Sequence, residues 1–212
     1  MSHNHESNTL STLGAWTARA ANTISERYER HGLDVLVAHG RSTETPKPER
    51  GLIVSWFGSD YSRGARLSYL DIAVVSRATG RTLVLCEVEE HSPRPKTLIA
   101  DVLATLVGDH VTFRGARVRD LDLGQWTTLL VLAKMVEKGD RGSRIKLLEE
   151  RLNVIKRHLS TANASVGRII MDTFHDEPEL VRKLGTRIEN AVRNAPQSRV
   201  CGDSRTSVNR RK

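Results

Sequence analysis

The chain has 212 residues, 38% hydrophobic and 27% charged, which is ordinary for a globular protein and long enough for one self-sufficient core. A formal net charge of +8 favours an anionic partner, and nucleic acid is the usual one for a basic protein of this kind. Two cysteines in unlike surroundings, no apolar leader after Met1 and no apolar run long enough to span a bilayer exclude a disulfide scaffold and lead us to expect a cytoplasmic location without a membrane role.

In chain order, Leu10, Leu13, Ala20, Ile24 and Tyr28 follow helical spacing and predict an amphipathic helix ended by His31 and Gly32. A short strand is expected over Leu33 to Ala38, a loop over Arg41 to Arg50, and a second apolar strand over Leu52 to Phe57. Leu67 to Val75 predicts a strand, Thr79-Gly80 a hairpin turn, and Thr82 to Glu89 its antiparallel partner. Ser92, Pro93 and Pro95 suit a helix start, and Leu98, Ile99, Val102, Leu103 and Leu106 supply the stripe that follows. Strands are expected over Val111 to Phe113 and Thr127 to Met135, with a polar loop between them. Ile145, Leu148, Leu152, Ile155 and Leu159 predict a long helix with Arg144, Lys146, Arg151 and Arg157 outside. A last strand over Val166 to Phe174 precedes a helix opened by the capping pair Asp176 and Glu179 and carrying Leu180, Leu184, Ile188 and Val192. This order predicts an α/β fold with a mixed central sheet, an acidic β-hairpin and helices on both faces. It fills a single domain over 1–195, and 196–212 is expected to be a basic, disordered tail.

The hairpin carries the anomaly. Residues two apart in a strand share a face, so Glu87 and Glu89 point the same way, at the end of the apolar run Leu83-Val84-Leu85-Cys86. Asp71 is the one charged residue in Tyr69-Leu70-Asp71-Ile72-Ala73-Val74-Val75, where a strand favours apolar or β-branched residues. Carboxylates crowded on one face repel each other and resist burial, and a hard divalent cation removes that penalty by taking their oxygens as ligands. A turn at Thr79-Gly80 brings Asp71 opposite Glu87 and Glu89, making these three the candidate metal ligands. The alternative is a solvated strand end, with Asp71 paired to Arg66 or Arg94.

From Leu67 to Asp109 the sequence resembles the PD-(D/E)xK nuclease superfamily, whose core hairpin carries Asp on one strand and Glu-x-Lys on the next, followed at once by a helix. Leu70-Asp71 stands for the Pro-Asp and Glu87-Val88-Glu89 for the Glu-x-Lys, so Glu89 replaces the lysine, as in some restriction endonucleases. The resemblance implies a restriction-endonuclease-like fold and a Mg²⁺- or Mn²⁺-dependent endonuclease hydrolysing phosphodiester bonds. Asp71 and Glu87 would ligate metal, Glu89 would add an oxygen or accept a proton, and Lys96 on the following helix would restore the missing cation. Arg94, Lys96, Arg114, Arg117 and Arg119 flank the hairpin as candidate phosphate contacts. Few aromatics, 4%, favour double-stranded DNA over a stacked single strand, and cutting both strands favours a homodimer. With Glu89 in the lysine position, a nucleic-acid-binding protein with little or no catalysis is the competing expectation.

Overall fold

The computed structural model describes residues 15–38, 51–55, 66–90, 95–114, 118–135, 141–159 and 166–194. Helix α1 (Ala15–Tyr28) and a 3₁₀ turn (Glu29–His31) lead to β1 (Leu33–Val37), β2 (Gly51–Ser55), β3 (Arg66–Leu70), β4 (Ile72–Ser76) and β5 (Thr82–Glu89). Helix α2 (Pro95–Val107), β6 (His110–Arg114), β7 (Val118–Asp120), β8 (Gly124–Lys134), α3 (Arg141–Leu159), β9 (Val166–Phe174) and α4 (Glu177–Asn194) follow.

Among the described residues these strands form two sheets. One has five strands in the order β1-β4-β5-β8-β9, and the other four in the order β3-β2-β6-β7. In the first, β4 runs antiparallel to β1 and β5, whereas β5, β8 and β9 run parallel. The fold is thus α/β with a mixed sheet and helices against both faces. Leu83 to Cys86 and Leu129 to Ala133 are buried throughout, as strands covered on both faces must be.

One face of the five-stranded sheet buries Ile72, Val74, Val84, Cys86, Leu130 and Leu132 under Ala20 and Ile24 of α1 and Leu180, Leu184 and Ile188 of α4. The other buries Ala73, Leu85, Leu129 and Val131 under Leu98 and Val102 of α2, Ile145 and Leu152 of α3, and Leu52, Leu70 and Val111 of the second sheet. Asp176 Oδ1 accepts the Glu179 amide at 2.8 Å while Glu179 Oε2 accepts the His175 amide at 2.8 Å, so the expected capping pair opens α4.

The structure corrects three expectations. Leu67 to Val75 is not one strand: it breaks at Asp71, where the chain leaves the four-stranded sheet as β3 and enters the five-stranded sheet as β4. β3 alternates and β4 is a continuous buried apolar run, and both are strand-like in composition, so the corner between them is hidden. The loop expected between Phe113 and Thr127 contains β7, whose pairing to β6 supplies backbone partners that its polar sequence does not advertise. On α3, Ile155 is exposed and Lys156 buried, because α3 lies along the sheet margin and turns a partly polar face inward. Lys146 Nζ donates to the Met171 carbonyl at 2.8 Å, Glu149 accepts the Met171 amide at 2.5 Å, and Asn153 exchanges bonds with the Ile169 amide and carbonyl. Residues from 195 onward, including the expected basic tail, lie outside the described residues, as do Trp56 and Phe57. Among the described residues no helix is long and apolar enough to cross a membrane.

Candidate metal centre

The hairpin forms as its sequence requires. Ser76 donates its amide to the Arg81 carbonyl at 2.9 Å, and Gly80 takes the left-handed conformation, φ 73°, that the turn needs. Ile72 pairs with Cys86, so continuing the register by one residue sets Asp71 opposite Glu87. The corner at Asp71 is pinned from three sides. Its amide donates to the Cys86 carbonyl at 3.0 Å, its carbonyl accepts the Ala38 amide at 2.7 Å, and its Oδ2 accepts the Val88 amide at 2.7 Å. By strand parity Asp71, Glu87 and Glu89 lie on the face of Ala73 and Leu85, towards α2 and the second sheet.

Sequence reading missed a fourth acid on that side. Asp101 is half-buried on α2, one residue from the buried Val102, and accepts a bond from Ser68 Oγ on β3 at 3.3 Å. Its signal was periodicity: Asp101 is an acid within the inward arc set by Leu98, Val102 and Thr105.

The electrostatics of the group are one-sided. Burial, opposed by the Val88 amide and reinforced by Glu90, Glu89 and Asp101, pushes the Asp71 carboxyl up to about 7. Burial raises Glu87 well above the carboxylate range, and Asp71, Asp101 and Glu89 add to it. Asp101 is raised by burial and by Glu89, against the Ser68 hydroxyl, which lowers it. Oε2 of Glu87 is buried without a hydrogen-bond partner.

A hard divalent cation fits this donor set, since it offsets crowded negative charge and takes the orphaned oxygen as a ligand. Among the described residues no three His, Cys, Asp or Glu side chains stand arranged to grip one ion, so the expected convergence of Asp71, Glu87 and Glu89 on a single ion is not found. Mg²⁺ does not require that, because it dehydrates reluctantly and is commonly held by one or two carboxylates, waters and substrate phosphate.

The predicted cations are dispersed. Lys96 is exposed, about 160° around α2 from the buried Leu98, and so points away from the acids. Arg119 is tied to Asp34 at 3.2 Å, and Asp34 pairs with Val75, four residues along β4 from Asp71 and thus roughly 13 Å away. Arg114 pairs with Gly51, in the row of the second sheet that Asp71 reaches when the Leu52–Leu70 register is continued by one residue. Arg94, Arg117 and His91 lie outside the described residues. Glu26 on α1 and Glu29 in the 3₁₀ turn after it are exposed.

Glu90, a plain strand-end acid in the sequence, fastens this end of β5 to α1. Its Oε1 accepts the Thr17 amide at 2.6 Å and hydroxyl at 2.5 Å, and its Oε2 accepts the Trp16 amide at 3.4 Å. The free amides of the first helical turn are so satisfied by a charged acceptor. Compared with protein-family models, with curated proteins and with solved structures, the chain matches none.

Proposed function

We propose that this chain is a divalent-metal-dependent endonuclease of restriction-endonuclease-like fold, with Asp71 and Glu87 as its metal ligands and DNA as its substrate. The observation that carries the reading is the buried, partnerless Glu87 Oε2 set opposite the buried carboxyl of Asp71. Two raised carboxyls on facing strands are a standing cost that a metal site explains and a salt-bridge cluster does not. The hairpin followed by α2, and helices on both faces of a mixed sheet, agree with the resemblance.

Mg²⁺ or Mn²⁺ bound there would supply charge to offset a phosphate and would acidify a water for in-line attack. Asp71 and Glu87 would hold the ion, the Val88 amide keeps Asp71 Oδ2 oriented, and Glu89, standing where the family has lysine, would be the group to accept a proton. Arg114 takes a substrate phosphate on the neighbouring sheet.

Incubation with supercoiled plasmid and branched DNA in Mg²⁺ or Mn²⁺ tests this. Cutting is expected from the wild type and is lost in Asp71→Asn and Glu87→Gln, by about a hundredfold or more, with DNA binding retained. A wild type that cuts with neither metal sinks the proposal. The outward position of Lys96 and the Glu89 substitution favour a second reading, a DNA-binding protein without hydrolysis, which the binding half of the same experiment supports if cutting fails.

A further inference from the structure

The outer side of the second sheet, across β3 from the acids, differs from the rest of the surface. Among the described residues Tyr69 is the one exposed Phe, Trp or Tyr, at 46%, and Leu67 on the same side of β3 is also exposed. Directly paired residues share a face, so Tyr69 lies on the outer side with Ile53, and Arg114 on the same side with Gly51. Gly51, Ile53 and Thr112 on that side are buried, whereas Tyr69 is exposed and Arg114 is half-buried.

A Cβ placed on Gly51 would meet Tyr69 Cδ1 at 3.6 Å, so one ring edge lies beside Gly51, while the Tyr69 hydroxyl accepts a bond from Arg66 Nη1 at 3.2 Å. Gly51 keeps its row low, with the phenol ring on one side of it and Arg114 on the other. Tyr69 and Asp71 are two residues apart in extended chain, roughly 7 Å.

We infer that this outer side is a base platform: Tyr69 stacks an unpaired base, Arg114 meets the adjoining phosphate, and the substrate is nucleic acid carrying unpaired nucleotides, such as a single-stranded tail or flap. The inference rests on the nuclease reading for its substrate backbone. An aromatic face takes any base only when that base has left its stack, and the net charge of +8 suits the backbone that brings it. The few aromatics that pointed to duplex DNA matter less than the placement of this one.

Fluorescence anisotropy in EDTA, with a labelled blunt duplex and the same duplex bearing a single-stranded tail, separates the outcomes without requiring cleavage. Wild type is expected to prefer the tailed DNA, Tyr69→Ala to lose about tenfold on that DNA alone, and Tyr69→Phe to keep the preference. Tyr69 is exposed, so its truncation leaves the core intact. Equal binding of both DNAs by wild type, or an unchanged preference in Tyr69→Ala, overturns the platform and leaves the metal site standing if plasmid is still cut. Binding of neither DNA overturns both.

Discussion

The carboxyl of Asp71 is buried before it is repelled, and the two effects together hold its proton to about pH 7. In the unfolded chain it ionises near pH 4. Between those values the folded state keeps a proton that the unfolded state has lost, so this residue's contribution is most favourable below about pH 4 and declines as pH rises through 7. Asp71→Asn keeps an acceptor for the Val88 amide and removes the charge. In metal-free protein at pH 8 it is expected to raise Tm by roughly 2–4 °C for each kcal/mol relieved, and to flatten the pH dependence between about 4 and 7. Thermal unfolding across that range checks it, and an unchanged profile would mean that Asp71 is ionised in the fold. Asp172 behaves in the opposite sense. Burial would raise it, but Arg187 at 2.8 Å and Lys183 at 3.0 Å outweigh burial and hold it to about 2. Its stabilisation is present above about pH 4 and lost as pH falls through 2.

At the scale of elements, β9 is the outer strand of the five-stranded sheet among the described residues, and its open edge is met by side chains instead of a further strand. Glu149 and Asn153, four residues apart on α3, occupy the Met171 and Ile169 backbone groups as a neighbouring strand would. Glu149→Ala with Asn153→Ala is expected to cost about 1–3 kcal/mol per backbone group left unsatisfied, and to expose an edge for pairing between chains. Urea unfolding measures the first and light scattering at high protein concentration the second. The same geometry explains Lys156 inside and Ile155 outside. A helix at a sheet margin faces backbone on one side and apolar core on the other, so its inward arc is not purely apolar.

For the whole molecule, the acids gather where the two sheets and α2 meet, because one chain segment, β3 through β4, belongs to both sheets. A divalent cation bound there, as proposed, would tie β4 to β5 and offset the crowded negative charge. At a hundredfold excess over its dissociation constant it should stabilise by about 2.7 kcal/mol, a Tm rise of roughly 5–10 °C. Differential scanning fluorimetry with Mg²⁺ or Mn²⁺ reads this directly. Loss of the shift in Glu87→Gln locates the ion, and no shift in wild type means that the acids hold none.

The hairpin Ile72 to Glu89, the strand β9, the helix α4 and the shared face of Asp71, Glu87 and Glu89 were legible in the sequence, because two-residue and 3.6-residue periods, turn glycines and capping pairs act over a few neighbouring residues. Local pattern is blind to a strand that changes sheets, since strand-like composition continues through the corner at Asp71. It is equally blind to what approaches from a distance. Asp101 joins the acids, Glu90 takes the amides of α1, Lys96 turns outward and Tyr69 comes to lie beside Gly51 only through long-range packing. The sequence by itself determined which residues are too charged for their strands, and the tertiary structure decided which of them meet, because burial and convergence are properties of packed elements and not of any one segment.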